Sequence, residues 1–129
     1  MESVVLDSSV VLAFLNPEDR HHKSAQREIA AATARFKIST ITVTESAIQA
    51  ARQSDAVSNE FLADLENHFG PFIVLDGEIA IAAAKLRAKT GLATPDAIIS
   101  ASARAIGASL WTFDKGLAKA HSGSRLIGS

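Results

Sequence analysis

Cysteine is absent from this 129-residue chain. That excludes disulfides, thiolate zinc sites and a cysteine nucleophile, and it suits a reducing compartment. Tyrosine is absent too, and aromatic residues make up only 5%, so a stacking platform for nucleobases is not expected. No apolar run approaches the ~20 residues that a membrane-spanning helix needs. The opening MESVVLDSSVV lacks the basic leader of a secretory signal. A soluble, cytoplasmic protein without a membrane partner is therefore expected. Net charge is nearly missing as well, because 13 Lys and Arg stand against 14 Asp and Glu. The overall balance gives no sign of nucleic-acid binding, although an acidic site can mask a local basic face. Neither G-x-x-x-x-G-K-[ST] nor G-x-G-x-x-G occurs, which removes the common nucleotide-binding loops.

What is present is a globular composition, 47% hydrophobic and 21% charged, sized for one domain over residues 1–129. Ser3–Leu6 reads as a short buried strand, continuous in apolar character. Ser8-Ser9 can cap a short helix that Asn16-Pro17 stops, and Glu18–Ala34 is Ala-rich and amphipathic. Phe36–Thr40 reads as a second strand, and Thr42 or Thr44 as the start of a helix ending near Gln53. Ser54-Asp55 caps the next helix, with Phe61, Leu62, Leu65 and Phe69 as its apolar stripe and Gly70-Pro71 as its stop. Phe72–Leu75 reads as a third strand, followed by a helix from Glu78 to Thr90 that Gly91 ends. Thr94-Pro95-Asp96 combines a cap, a proline at the first helical position and a first-turn acid, and that helix runs to Ile106. Ser109–Phe113 is a fourth strand, Asp114–Ala120 a short helix, and Arg125–Ile127 an edge strand.

Strands that alternate with helices, none joined by a tight hairpin, imply an α/β fold. The expected form is a three-layer α/β/α sandwich around a short, mostly parallel sheet of four to five strands. Ligands of such sheets bind beyond the carboxyl ends of the strands. Four acids fall there: Asp7, Glu45, Asp96 and Asp114. Carboxylates brought to one sheet edge repel one another unless a hard cation sits among them. Oxygen-only ligands select Mg²⁺ or Mn²⁺, and no His or Cys is spaced to compete.

Each acid also has a plain structural reading. Glu45 has the T-x-x-E spacing of a capping box with Thr42, while Asp96 suits a helix first turn and Asp114 a helix cap. Ser8 and Ser9 have no His or Lys placed to activate them, so a cap or a water-holding role is expected rather than nucleophilic attack. His21, His22, His68 and His121 read as solvated surface. Arg87, Lys89, Lys115 and Lys119, and less so Arg20 and Lys23, are the cations nearest the acidic segments in sequence, and they also suit exposed helix faces.

VVLDSSVVLAFL, the acid in STITVTESAI, TPDAIISASARAIGASL and the closing WTFDKGL together resemble the PIN-domain ribonucleases. The small single-domain members of that family, which this chain resembles, are the VapC-type toxins of toxin–antitoxin modules. The resemblance spans essentially the whole chain. It implies cleavage of single-stranded RNA with Mg²⁺ or Mn²⁺ as cofactor. It also implies that Asp7 and Asp96 bind the principal metal. Glu45 and Asp114 would complete the cluster through a second metal or by orienting water, with Ser8, Ser9 and Thr112 as accessory hydroxyls. An antitoxin partner and a homodimer are further implications.

Two other classes compete. A phosphoryl-accepting signalling module needs an acidic pair after the first strand, where Asp7-Ser8-Ser9 offers one acid. A PIN fold that binds without cleaving would be favoured by a missing acid, and all four are present.

Overall fold

The structure, a computed structural model, describes residues 1–121 and 124–127. The first strand, β1 (Glu2–Leu6), shows why the chain builds two cores. Side chains alternate along a strand, so Val4 and Leu6 enter one apolar cluster and Val5 another on the opposite face. All three are at most 1% exposed. Burial of that kind contributes roughly 1.5–3 kcal/mol per side chain.

The remaining elements are α1 (Ser8–Leu15), α2 (His22–Ala31), β2 (Ala34–Lys37), α3 (Thr40–Gln53), α4 (Asp55–Phe69) and α5 (Gly77–Thr90). They are followed by α6 (Thr94–Ala105), β3 (Ser109–Thr112), α7 (Lys115–Ala120) and β4 (Ser124–Leu126). The four strands pair in the order β2-β1-β3-β4, and every pairing is parallel. One face of the sheet packs on α5 and α6 through Ile79, Leu86, Ile98 and Ile99. The other packs on α1 and α4 through Val10, Val11, Leu65 and Phe69. This is the three-layer α/β/α arrangement expected from the sequence, with four strands among the described residues.

Several boundaries differ from expectation for local reasons. Phe72–Leu75 is not a strand, since only Ile73 bridges to Ser39. Ser39 already N-caps α3 there, so its chain turns away and leaves no extended partner, and Val74 stays 64% exposed. Helix α2 starts at His22 instead of Glu18, because Asn16 and Asp19 capture the backbone N–H groups of Glu18 and His21 and hold residues 16–21 in turns. Ser39 caps α3, so neither Thr42 nor Thr44 opens it. Ala93 occupies the N-cap of α6, and Thr94 lies inside the helix. Asp76 caps α5, and Gly91 ends it at φ 75, a left-handed geometry that glycine adopts without strain. The edge strand is Ser124–Leu126, one residue earlier than read, and Ile127 turns inward to the core.

Candidate active site

Asp7 follows β1 directly and N-caps α1, so the sheet edge and the helix start fix its side chain together. It is only 3% exposed. Three donors satisfy it: Ser9 Oγ at 2.6 Å and the Val10 N–H at 3.0 Å on Oδ1, and Thr112 Oγ1 on Oδ2. Burial pushes the Asp7 carboxyl up, these hydrogen bonds pull against that rise, and the Asp114 charge adds to it. The balance is a carboxyl above its ordinary range. Oδ2 has one donor among the described residues, which leaves it acceptor capacity.

Thr112 ends β3, fully buried, and links two of the acids. It donates to Asp7 and accepts from the Asp114 backbone N–H at 2.8 Å. Ser9 has the same double role, donating to Asp7 and accepting from the Phe113 N–H at 3.3 Å. The β1 and β3 ends are thereby tied through hydroxyls that flank both acids. Asp114 N-caps α7, its Oδ1 accepting from the N–H groups of Gly116 and Leu117 at 2.8 and 3.2 Å.

Glu45 lies in the second turn of α3, beyond reach of the cap at Ser39, so the capping-box reading with Thr42 does not hold. It accepts from Ser8 Oγ at 2.5 Å, which joins α3 to the start of α1. Its neighbours Thr42 and Ser46 are buried, and their hydroxyls have no partner among the described residues. Such groups are the kind that internal water satisfies.

Asp96 stands in the first turn of α6 and is half-buried. Among the described residues no donor bonds its carboxylate. Burial first, and then the charges of Asp114, Asp7 and Glu45 in that order, push its pKa up to about 6. One acid feels all three others. The charges of three acids from segments far apart in sequence are thus felt at Asp96.

The donor chemistry suits a hard divalent cation, since every candidate ligand is a carboxylate oxygen and Asp96 has no competing donor. Ligand geometry adds nothing to that fit, because no three acids among the described residues stand close enough to hold one ion. The cations named from sequence do not pair with the acids. Arg87 donates to Leu92 O at 2.6 Å, Lys89, Lys115 and Lys119 are exposed, and the ion pair found among the described residues, Arg125–Glu28 at 2.8 Å, lies elsewhere. A cavity of about 650 Å³ between α5, α6 and residues 73–76 contains none of the four acids.

The histidines divide. His68 is exposed as expected. His21 stacks on Phe113 with ring centroids 4.4 Å apart, and the His22 ring bonds Ala13 O at 2.7 Å, so both are half-buried. His121 is 3% exposed and not a surface residue at all, with its Nδ1 2.5 Å from Ser100 Oγ. An isolated histidine after a short helix carries no sequence signal for such burial.

The family model of the PIN domain matches residues 4–122. The chain belongs to the PIN-domain family. No curated protein matches this PIN domain in a sequence search. Its fold is similar to that of FitAcB from Neisseria gonorrhoeae, with TM-score 0.72 and 24% identity over 91% of each chain. A toxin–antitoxin complex from Klebsiella pneumoniae gives TM-score 0.78 and 23% identity over 95% of each chain. VapC20 from Mycobacterium tuberculosis, described as a sarcin–ricin-loop-cleaving toxin, gives 0.73 and 18% identity over 91% of this chain and 94% of that one. At these identities the likeness is one of fold. Among the described residues, no helix of this PIN domain is long and apolar enough to cross a membrane.

Proposed function

We propose that this PIN domain is a Mg²⁺- or Mn²⁺-dependent endoribonuclease for single-stranded RNA, acting as the toxin of a toxin–antitoxin pair. The observation that carries the reading is that Asp7 and Asp114 follow two adjacent strands and are tied together through Thr112, while burial and the charges of Asp114, Asp7 and Glu45 push Asp96 up to about 6. Family membership supports a nuclease role, and structural relatives described as toxins or toxin–antitoxin complexes support the antitoxin partner. A cytoplasmic homodimer belongs to the same reading.

In this reading Asp7 and Asp96 hold the principal ion. When bound, such an ion supplies positive charge against the phosphate and makes water more acidic. Asp7 is the fixed member, its orientation set by Ser9, Val10 and Thr112. Asp96 is the adaptable member, and positive charge beside it would cancel the repulsion that raises its proton affinity. Glu45 and Asp114 serve a second ion or hold water, with Ser8 orienting the Glu45 carboxylate. Thr112 keeps Asp7 and Asp114 in register through its hydroxyl.

A phosphoryl-accepting module fits less well. Asp7 is buried and held by three donors, so a phosphoryl group would have to displace them. A binding protein without nuclease activity is the second reading, favoured by the wide spacing of the acids. Purified protein incubated with an unstructured RNA decides between them. Cleavage is expected with Mg²⁺ or Mn²⁺ and lost in Asp7→Ala and Asp96→Ala; intact RNA under every metal condition would favour the binding protein. For the toxin role, induced expression should arrest bacterial growth, and co-expression of a small neighbouring gene should restore it.

A further inference from the structure

Helix α6, which carries Asp96, is also joined at mid-length to the far end of α7, the helix that Asp114 caps. His121 C-caps α7, and its Nδ1 lies 2.5 Å from the Oγ of Ser100 on α6, which is fully buried. One turn further along α6, Arg104 Nη2 reaches Ala120 O of α7 at 3.5 Å. Asp96, Ser100 and Arg104 follow one another at intervals of four residues, so they form a single stripe on α6. Asp114 at the start of α7 is the strongest like-charge influence on Asp96, while the other end of α7 is held to the same stripe.

Helix α7 has only six residues, too few to be stable alone, so whatever it docks on sets its position. Its one buried apolar anchor is Leu117, in the middle. Thr112 ties the backbone at its N-cap and Leu117 anchors its middle, so attachments at its other end set the direction in which the helix runs. The side chain of Asp114 caps this same helix, so a pivot of α7 would carry the carboxylate with it.

We infer that the Ser100–His121 hydrogen bond positions the acidic site, holding Asp114 toward Asp96 by fixing the far end of α7. The inference rests on the nuclease reading above and gives Ser100 and His121 positioning roles, since neither touches the reacting atoms. It also gives a role to a buried polar pair beside an apolar core.

A double-mutant cycle on the full chain tests it. Mn²⁺ affinity is measured by calorimetry at pH 7.5, and kcat and KM on a short unstructured RNA, for native protein, Ser100→Ala, Asp114→Asn and the double variant. Ser100→Ala is expected to weaken Mn²⁺ binding about fivefold and lower kcat with KM little changed, and to have no further effect once Asp114 is Asn. His121→Asn, which keeps a polar atom near the Nδ1 position, should retain more affinity than His121→Phe. Equal losses from Ser100→Ala with and without Asp114→Asn would overturn the inference, as would native affinity and kcat in Ser100→Ala. Should Ser100→Ala fail to fold, the same cycle with His121→Asn decides by the same criterion. Native protein that neither binds Mn²⁺ nor cleaves RNA would refute the nuclease reading itself; native function with an additive cycle refutes only the positioning role.

Discussion

Asp7 and Asp96 are both acids at the carboxyl edge of one sheet, and both have raised pKa values led by burial. They differ in what burial meets. Around Asp7 two hydroxyls and a backbone N–H oppose the rise, so the carboxylate is nearly enclosed yet fully engaged. Around Asp96 three further carboxylates add to it, and no donor opposes it. The first acid is part of the framework, and the second is an electrostatic liability that the fold tolerates. Strain of that kind, held at a site and offset elsewhere, is what a charged ligand can relieve.

The contrast breaks most visibly at Asp7. Asp7→Ala leaves the buried hydroxyl of Thr112 and the Val10 N–H without their acceptor, so a loss of roughly 2–4 kcal/mol is expected in urea unfolding. Asp96→Ala removes no hydrogen bond and should leave urea stability unchanged or higher. A comparable loss in both variants would erase the distinction.

Asp96 gives the next effect, and its sign depends on pH. Folded Asp96 holds its proton more tightly than the unfolded chain does, so its ionised form disfavours the fold. That destabilisation enters as pH rises from 3.8 toward about 6 and is complete above. Asp96→Asn should therefore raise Tm at pH 7.5 by on the order of a few degrees, with much less gain near pH 4. Added Mn²⁺ should raise the native Tm at pH 7.5 and have less effect on Asp96→Asn.

Much of this was legible in the sequence, and the misses have physical causes. Val-Val-Leu before Asp7 and Leu-Trp-Thr before Asp114 mark interior strands, since buried parallel strands are apolar throughout and their ends define the sheet edge. Strand alternation with helices was enough to put Asp7 directly after β1 and Asp114 just beyond β3. Caps were harder to read. Several hydroxyls compete near each helix start, and tertiary pairing chose Ser39 over Thr42 and left Ala93 as the cap of α6. Phe72–Leu75 has strand composition but no strand beside it, a fact that depends on where α3 begins. The bond from Thr112 to Asp7, and the burial of His121 against Ser100, join residues more than 20 positions apart and leave no periodic trace.

Smaller effects sharpen the picture. Asp114→Asn should reduce cleavage less than Asp7→Asn, because an amide oxygen can still cap Gly116 and Leu117. Equal losses in initial rate would contradict that ranking. His121 behaves oppositely to Asp96. Burial and the nearby Arg104 charge lower its pKa, so the neutral imidazole is the folded form. Its contribution is fully present above pH 6.5 and is lost as pH falls from there toward the lowered folded value. Native protein should lose a small part of its stability on acidification below pH 6.5, and His121→Asn should lack that component.

The most direct test of the central claim is a gel assay of an end-labelled, unstructured RNA with native protein and Asp96→Asn at pH 7.5, in Mn²⁺ and in EDTA. Cleavage by the native protein in Mn²⁺ alone is the predicted result. Product in EDTA, or undiminished product from Asp96→Asn, would contradict a metal-dependent site built on these four acids.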